Sequence, residues 1–425
     1  MSTQYPTVDW SKGSNIYEVN IRQYTPEGTF AAFQQHLPRL KDMGVEILWL
    51  MPITPISKEK KQGTLGSYYS CSSYTEINPE FGTKDDFKNF INEAHRLGFK
   101  VIIDWVANHT GWQHEWTVNK DWYLLDKNEN FIEINGWNDV IDLNYNNPEM
   151  QAAMIDAMRY WVGEFDIDGF RCDMAHLVRL DFWHKARKSC DEIKPLFWLG
   201  ECDDDRYSEV FDATYAWRWV HATEMMAKNN SQWFEVRNAL RQYIQLPKEA
   251  WKMYFTSNHD ENSWNGTEYE KYGMPLAKNL AVFSCVFPGI PLVYSGQELP
   301  NYKRLKFFDK DEINWQQPAP PQLAAFYHTL FALRKQHKAF HPEAQFWWAC
   351  DNEQHPYVAF FLVNDADKAF AVFNFSATEK AKINFANEQL KGTYYNPFGG
   401  SIPVTFSENE DFEVLQNDFL LYVSQ

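Results

Sequence analysis

Four short stretches of the chain set carboxylates, histidines and an arginine directly after apolar runs. They are Asp104-Trp-Val-Ala-Asn108-His109, Gly169-Phe-Arg171-Cys-Asp173-Met-Ala-His176, Glu201 behind Phe197–Gly200, and Asn258-His259-Asp260. A pair of carboxyl groups is what cleavage of a glycosidic bond with retention requires: one attacks the anomeric carbon, the other protonates the leaving oxygen and later activates water. Asp173 is read as that nucleophile and Glu201 as the proton donor, and a retaining pair stands roughly 5–5.5 Å apart. Arg171 precedes Asp173 by two positions, and side chains alternate along a strand, so both point to one side. A cation so placed is expected to hold Asp173 ionised by lowering its pKa. Glu201 is expected to stay protonated until it donates, through partial burial and neighbouring acids. His109 and His259 are read as donors to sugar hydroxyls, and Asp260 as a carboxylate that grips two hydroxyls and favours a cationic transition state. Any one of these residues alone reads better as a cap or turn residue. Their joint recurrence after four apolar runs is what favours chemistry.

Something must bring those runs together. Eight β-branched apolar segments are predicted as strands: Asn15 to Tyr24, Val45 to Ile53, Lys100 to Val106, Ile167 to Cys172, Phe197 to Gly200, Asp212 to Tyr215, Met253 to Ser257 and Ile290 to Tyr294. Amphipathic helices fall between them. Thr29 caps one with Phe30, Phe33, Leu37 and Leu40 on one face, closed by Gly44; Thr83 and Asp86 form a capping box for a second; Asn147 and Pro148 open a third. Strand and helix in alternation, eight times, predict parallel pairing and closure into a (β/α)8 TIM barrel, whose active site lies at the C-terminal ends of the strands. The stretch 110–146 replaces a periodic helix with Trp, Asn and Asp and is read as a short inserted subdomain. From residue 345 to 425 short alternating runs without helices predict an antiparallel β-sandwich. The barrel is thus assigned to 1–109 and 147–344.

Composition narrows the partners. With 57 acidic against 40 basic residues the net charge is -17, which repels nucleic acid phosphates and anionic lipid heads and suits a neutral substrate. Aromatic residues make up 17%, enough flat rings to cover sugar faces as well as to fill a core. The most apolar stretch, Leu280 to Tyr294, is broken by Pro288, Gly289 and Pro291, too short to span a bilayer. The opening residues show no signal sequence, and the six scattered cysteines read as reduced thiols, so a cytoplasmic enzyme is expected.

In these motifs the chain resembles the α-amylase family, glycoside hydrolase family 13, from about Ile16 to Gln297. Asp104-x-Val-x-Asn-His109 is similar to its first conserved region, Gly169-Phe-Arg-x-Asp173 to the second, Glu201 behind Trp198-Leu-Gly to the acid/base, and Asn258-His259-Asp260 to the fourth. Ile141-Asp-Leu-Asn144 and Gly289-Ile-Pro-Leu-Val-Tyr-Ser-Gly-Gln-Glu298 are similar to two further family segments. The run Gly66-Ser-Tyr-Tyr-Ser-Cys-Ser-Ser-Tyr74 implies Tyr69 as stacking platform for the sugar being cleaved, with Tyr68 as the alternative; Ser73 stands where the family usually has Asp. The resemblance implies an α-glucan substrate of the starch or maltodextrin type, split at α-1,4 bonds. Water or a second sugar as the acceptor, hence hydrolysis or transglycosylation, stays open. It further implies that His176 lines a glucose subsite, that Asp104 and Arg171 belong with the substrate-binding residues, and that Asn108, Asp142 and the Leu177 carbonyl hold a structural calcium ion. No cofactor is implied for the chemistry itself.

Overall fold

The computed structural model describes residues 5–315, 321–351 and 353–424. Eight parallel strands close into a barrel in sequential order: β1 Ile16–Val19, β2 Ile47–Leu50, β3 Lys100–Trp105, β4 Gly169–Cys172, β5 Phe197–Gly200, β6 Ala213–Tyr215, β7 Trp251–Tyr254 and β8 Ile290–Tyr294. Seven of the eight predicted runs contain one of these strands; the exception is Met253 to Ser257, whose strand starts two residues earlier, at Trp251. β1 is shorter than predicted: Ile21–Tyr24 coils into one helical turn. Side chains from these strands fill both sides of the barrel wall: Trp49 lies inside, against Asp104, whereas Trp105 and Trp198 are buried on the outer side, Trp198 donating to Asp191 of the helix Leu180–Asp191. Each large apolar side chain removed from water contributes about 1.5–3 kcal/mol.

The outer helices follow their capping signals. The Thr83 hydroxyl accepts from the Asp86 backbone N–H while the Asp86 carboxylate accepts from Thr83, closing the capping box. Asn147 accepts from Glu149 and Met150 at the start of the helix Pro148–Phe165, which turns Met150, Met154, Met158, Trp161 and Phe165 to the barrel. The helix predicted from Thr29 to Gly44 is in fact two, Phe30–Gln34 and Leu37–Met43. Pro38 explains the break, since it has no N–H to offer Gln34 and its ring collides with the preceding turn. Gly44 does close the second helix, at φ 89°.

After β3 the chain leaves the barrel. His109–Gly111 pairs antiparallel with Val140–Asp142, anchoring the intervening loops above the strand ends. The C-terminal part contains a six-stranded antiparallel sheet and a two-stranded one. Strand Tyr357–Asn364 shows how they pack. Val358, Phe360 and Leu362 join the core shared with the barrel, whereas Ala359 and Phe361 face a second core with Ile383, Phe385 and Phe412 of the small sheet. That is the period-two alternation of a strand buried on both faces. Among the described residues no helix is long and apolar enough to cross a membrane.

Candidate active site

Parallel register brings the acidic motifs together. Asp104 on β3 lies opposite Arg171 on β4, and Trp105 opposite Cys172, which in turn lies opposite Gly200 on β5. Asp173 and Glu201 each come one residue after a matched pair, so they leave neighbouring strands at the same height. The Asp173 N–H donates to the Trp105 carbonyl at 3.0 Å and the Glu201 N–H to the Cys172 carbonyl at 2.9 Å, extending the ladder to both.

One guanidinium sits beneath all three acids. Arg171 Nη1 donates to Asp104 Oδ1 at 2.8 Å and to Asp173 Oδ1 at 2.9 Å. Its Nη2 lies 2.8 Å from Glu201 Oε2, an ion pair whose N–H is not aimed for a hydrogen bond. Its Nε donates to the Tyr215 hydroxyl at 3.0 Å, and the cation is packed among the rings of Trp49, Tyr69 and Tyr215. Arg171 is fully buried and is a positioning group rather than part of the cavity wall.

Charge balance corrects one expectation. Arg171 does not depress the Asp173 pKa below the usual range. Burial outweighs it, and with Asp104 and Asp260 nearby the Asp173 carboxyl is pushed up to about 6. Asp104 rises to about 6 for the same leading reason. Glu201 goes in the expected direction: burial, then Asp173 and Asp260, raise it to about 7 against the pull of Arg171. The Met174 N–H donates to Glu201 Oε2 at 2.9 Å and fixes that carboxyl.

Opposite this group stands His259. Burial alone would lower its pKa, but Asp260 and Glu18 outweigh burial and raise it to about 9, so at neutral pH it is an imidazolium. Its Nδ1 is 2.5 Å from Glu18 Oε1, and its Nε2 is 2.8 Å from the Tyr69 hydroxyl and 3.3 Å from Asp260 Oδ2. The Tyr69 hydroxyl donates onward to Asp104 Oδ2 at 3.1 Å. The Tyr69 ring stacks on His259 and on Phe307, with centroids 5.5 and 6.2 Å apart. Sequence reasoning missed Glu18. Its signal is a single acid inside the apolar strand Ile16–Val19, wholly buried.

These residues border a cleft of about 470 Å³ walled by Tyr69, His109, Asp173, Glu201, His259 and Asp260. Tyr69 reaches this wall; Tyr68 does not, being buried against Arg22, whose guanidinium carbon lies 4.2 Å from its ring. His109 is neutral, burial lowering its pKa to about 4, and its ring meets Trp137 edge-on at 5.3 Å. Trp137, Trp264, Phe307 and Phe308 add flat apolar surface that the sequence reading did not single out, because they lie in loops or, for Trp264, in the short π-helical turn Glu261–Asn265, where no periodicity marks them. His176 is exposed on the turn Ala175–Leu177 and does not itself border the cavity, although Met174, two residues before it, does.

The residues proposed for calcium do not present a cage of oxygens. Asn108 aims its amide Nδ2 at Asp142 Oδ1, 3.3 Å away, and Asp142 Oδ2 accepts the Ile134 N–H at 3.0 Å. Calcium takes six to eight oxygen ligands; here Asn108 turns its amide nitrogen rather than Oδ1 toward Asp142, and both Asp142 oxygens already accept hydrogen bonds. Burial leaves the Asp142 carboxyl at about 6. Among the described residues no group of three or more His, Cys, Asp or Glu side chains is placed to hold a metal ion.

Known proteins agree with this architecture. The family described as "Alpha amylase, catalytic domain" matches residues 9–121 and 117–319. Alpha-amylase MalA of Haloarcula japonica is 26% identical over 97% of this chain and 64% of its own length. The cyclomaltodextrinase of Geobacillus thermopakistaniensis is 26% identical over 84% of this chain and 63% of its own. The chain thus spans a little under two thirds of the length of these curated relatives. The crystal structure of the maltogenic alpha-amylase AmyB from Thermotoga neapolitana superposes with a TM-score of 0.87 at 29% identity, covering 97% of this chain and 98% of that one. A family match over most of the sequence, on a barrel that carries its acids at the predicted strand ends, places this chain in the alpha-amylase family.

Proposed function

We propose that the protein is a retaining α-glycoside hydrolase acting on α-1,4 bonds of maltodextrin or starch-type glucans, with Asp173 as nucleophile, Glu201 as acid/base and Asp260 as the third carboxylate. The observation that carries this reading is the shared guanidinium: Asp173 and Glu201 lie against the two terminal nitrogens of Arg171 at 2.9 and 2.8 Å, facing one cleft. Such a placement suits the roughly 5–5.5 Å spacing of a retaining pair. Relatives named as an alpha-amylase, a cyclomaltodextrinase and a maltogenic alpha-amylase support the substrate class.

In the first step Asp173 attacks the anomeric carbon, the C–O bond breaks, and its electron pair leaves with the glycosidic oxygen, which takes the proton of Glu201. In the second, the Glu201 carboxylate accepts a proton from water as that water attacks the same carbon and frees Asp173. The raised pKa of Glu201 keeps its proton available at the start. Asp260 and the buried acids favour positive charge developing on the sugar ring. His259, held by Glu18, presents a charged donor at the cleft floor, and Tyr69 offers its ring face to the sugar. The six free cysteines fit action in a reducing, cytoplasmic setting.

The test is Glu201→Gln. It should lose turnover of maltooligosaccharides, yet with α-glucosyl fluoride, whose leaving group needs no proton, it should accumulate a glycosyl ester on Asp173 detectable by peptide mass spectrometry. Normal turnover of maltooligosaccharides by this variant, or a label on another residue, would overturn the assignment.

A further inference from the structure

The segment between β2 and the helix Lys84–Arg96 contains a loop whose base is closed by the bridge Ile56–Cys71 and by the Ser57 N–H donating to the Ser70 carbonyl at 2.7 Å. Its crest, residues 58–65, is exposed, yet it is fastened on both sides. On one side Gln62 Nε2 donates to Asp139 Oδ1 at 2.9 Å, Gln113 Oε1 accepts the N–H groups of Lys58 and Glu59, and Lys60 sits 3.1 Å above the Trp112 ring. All three partners belong to the excursion after β3. On the other side the N–H and hydroxyl of Thr64 donate to Asp309 Oδ1 at 2.9 and 2.6 Å, and the Leu65 N–H donates to the Phe308 carbonyl at 3.0 Å. Both of these partners lie after β8. Gly63, at φ 60°, passes so close to Phe308 that a Cβ there would meet its Cβ at 2.5 Å. The crest therefore bridges the two walls of the cleft, and Gln62, Asp139 and Phe308 all border the cavity beneath it.

The bridge has a defined position relative to the chemistry. It leaves from β2 and joins loops of β3 and β8, so it spans the β1–β2 side of the ring. Directly across the ring is β5, which carries Glu201 at its end. Glu201 gives its proton to the departing oxygen, so the departing part of the substrate lies toward β5 and the part retained on Asp173 points away from it, under the bridge. On the β4–β5 side only Asp173, Met174 and Glu201 reach the cavity wall, and the exposed His176 stands outside it.

We propose that residues 58–65 seal the end of the cleft that holds the retained sugar, so that the enzyme takes α-glucans only by their free non-reducing ends. This rests on the hydrolase reading above and deepens it. A chain running through the cleft would have to displace the Gln62–Asp139 and Thr64–Asp309 contacts, whereas a chain end needs only the space already enclosed.

The experiment compares maltoheptaose labelled with a fluorophore at its reducing end in two forms, one with a free non-reducing end and one with that end blocked by a 4,6-O-ethylidene group. Products are resolved by chromatography. The free form should be shortened from its unlabelled end, and the blocked form cleaved at least about tenfold more slowly in kcat/KM. Thr64→Ala combined with Asp309→Ala unfastens one side of the bridge and should raise the blocked-to-free ratio at least about threefold, each variant being referred to its own free-chain rate. Equal cleavage of the two forms by the wild-type protein overturns the sealing role while leaving the hydrolase reading intact. Inertness toward both forms overturns the hydrolase reading and the sealing role with it. The wild-type comparison decides the matter even if the double variant does not fold.

Discussion

Strand β4 carries an aspartate just before its first residue and another just after its last, both nearly buried, with opposite electrostatics. Asp168, at the N-terminal end, accepts from His95 Nε2 at 2.7 Å, from the Val101 N–H at 2.9 Å, and from Lys100 and Lys194 at 3.1 and 3.2 Å. Burial alone would raise its pKa, but these partners outweigh it and bring it down to about 2. Asp173, at the C-terminal end, shares one arginine with two other acids and rises to about 6. The two sites differ in cations per carboxylate, not in burial. One end of the strand neutralises its acid and holds the barrel together; the other leaves acids underpaired so that protons move there near neutral pH.

Exchanging the two acids for their amides should separate activity from stability. Asp173→Asn is expected to lower kcat/KM on maltooligosaccharides by about 10⁴-fold or more. In denaturant unfolding it should cost little stability or even add some, because it relieves crowding of like charges. Asp168→Asn should leave kcat/KM nearly unchanged and cost about 3 kcal/mol, the scale of breaking a buried charge network. If the two variants behaved alike in either assay, the contrast would not hold.

A pH series sharpens the same comparison. In the free enzyme Asp173 must be ionised and Glu201 protonated, so kcat/KM should follow a bell with an acid limb near 6 and an alkaline limb near 7. Stability has the opposite asymmetry at the two ends of β4. Asp104, Asp173 and Glu201 have folded pKa values above the unfolded carboxylate values of about 4, so they disfavour the fold progressively as pH rises from about 4 through 7. Asp168 has a folded value below its unfolded one, so its contribution is present above about 4 and lost as pH falls from there through 2. Tm should therefore climb on acidification from pH 8 toward 5 and drop below 4. The smallest effect concerns the excursion after β3: because Asn108 and Asp142 satisfy one another, EDTA or added calcium should leave Tm unchanged in a thermal scan.

Much of this was legible in the chain itself. Strands, caps and the four acidic motifs were read because each depends on neighbours a few residues apart, as with Thr83 and Asp86 or Arg171 and Asp173. Four features were not. Pro38 splits a helix that the apolar spacing alone suggests is continuous. The Asp173 pKa depends on how many acids share Arg171, a count fixed by register across β3, β4 and β5. Glu18 gains meaning only where β1 meets His259, 241 residues later, and the bridge over the cleft only where residues 62 and 64 meet 139 and 309.

The most direct test is the stereochemistry of the bond that forms. Proton NMR during hydrolysis of an α-linked maltooligosaccharide should show the α-anomer of the new reducing end first, with the β-anomer growing in only by mutarotation. A β-anomer appearing first would mean that water, not Asp173, attacks the sugar, and the paired roles assigned to Asp173 and Glu201 would be wrong.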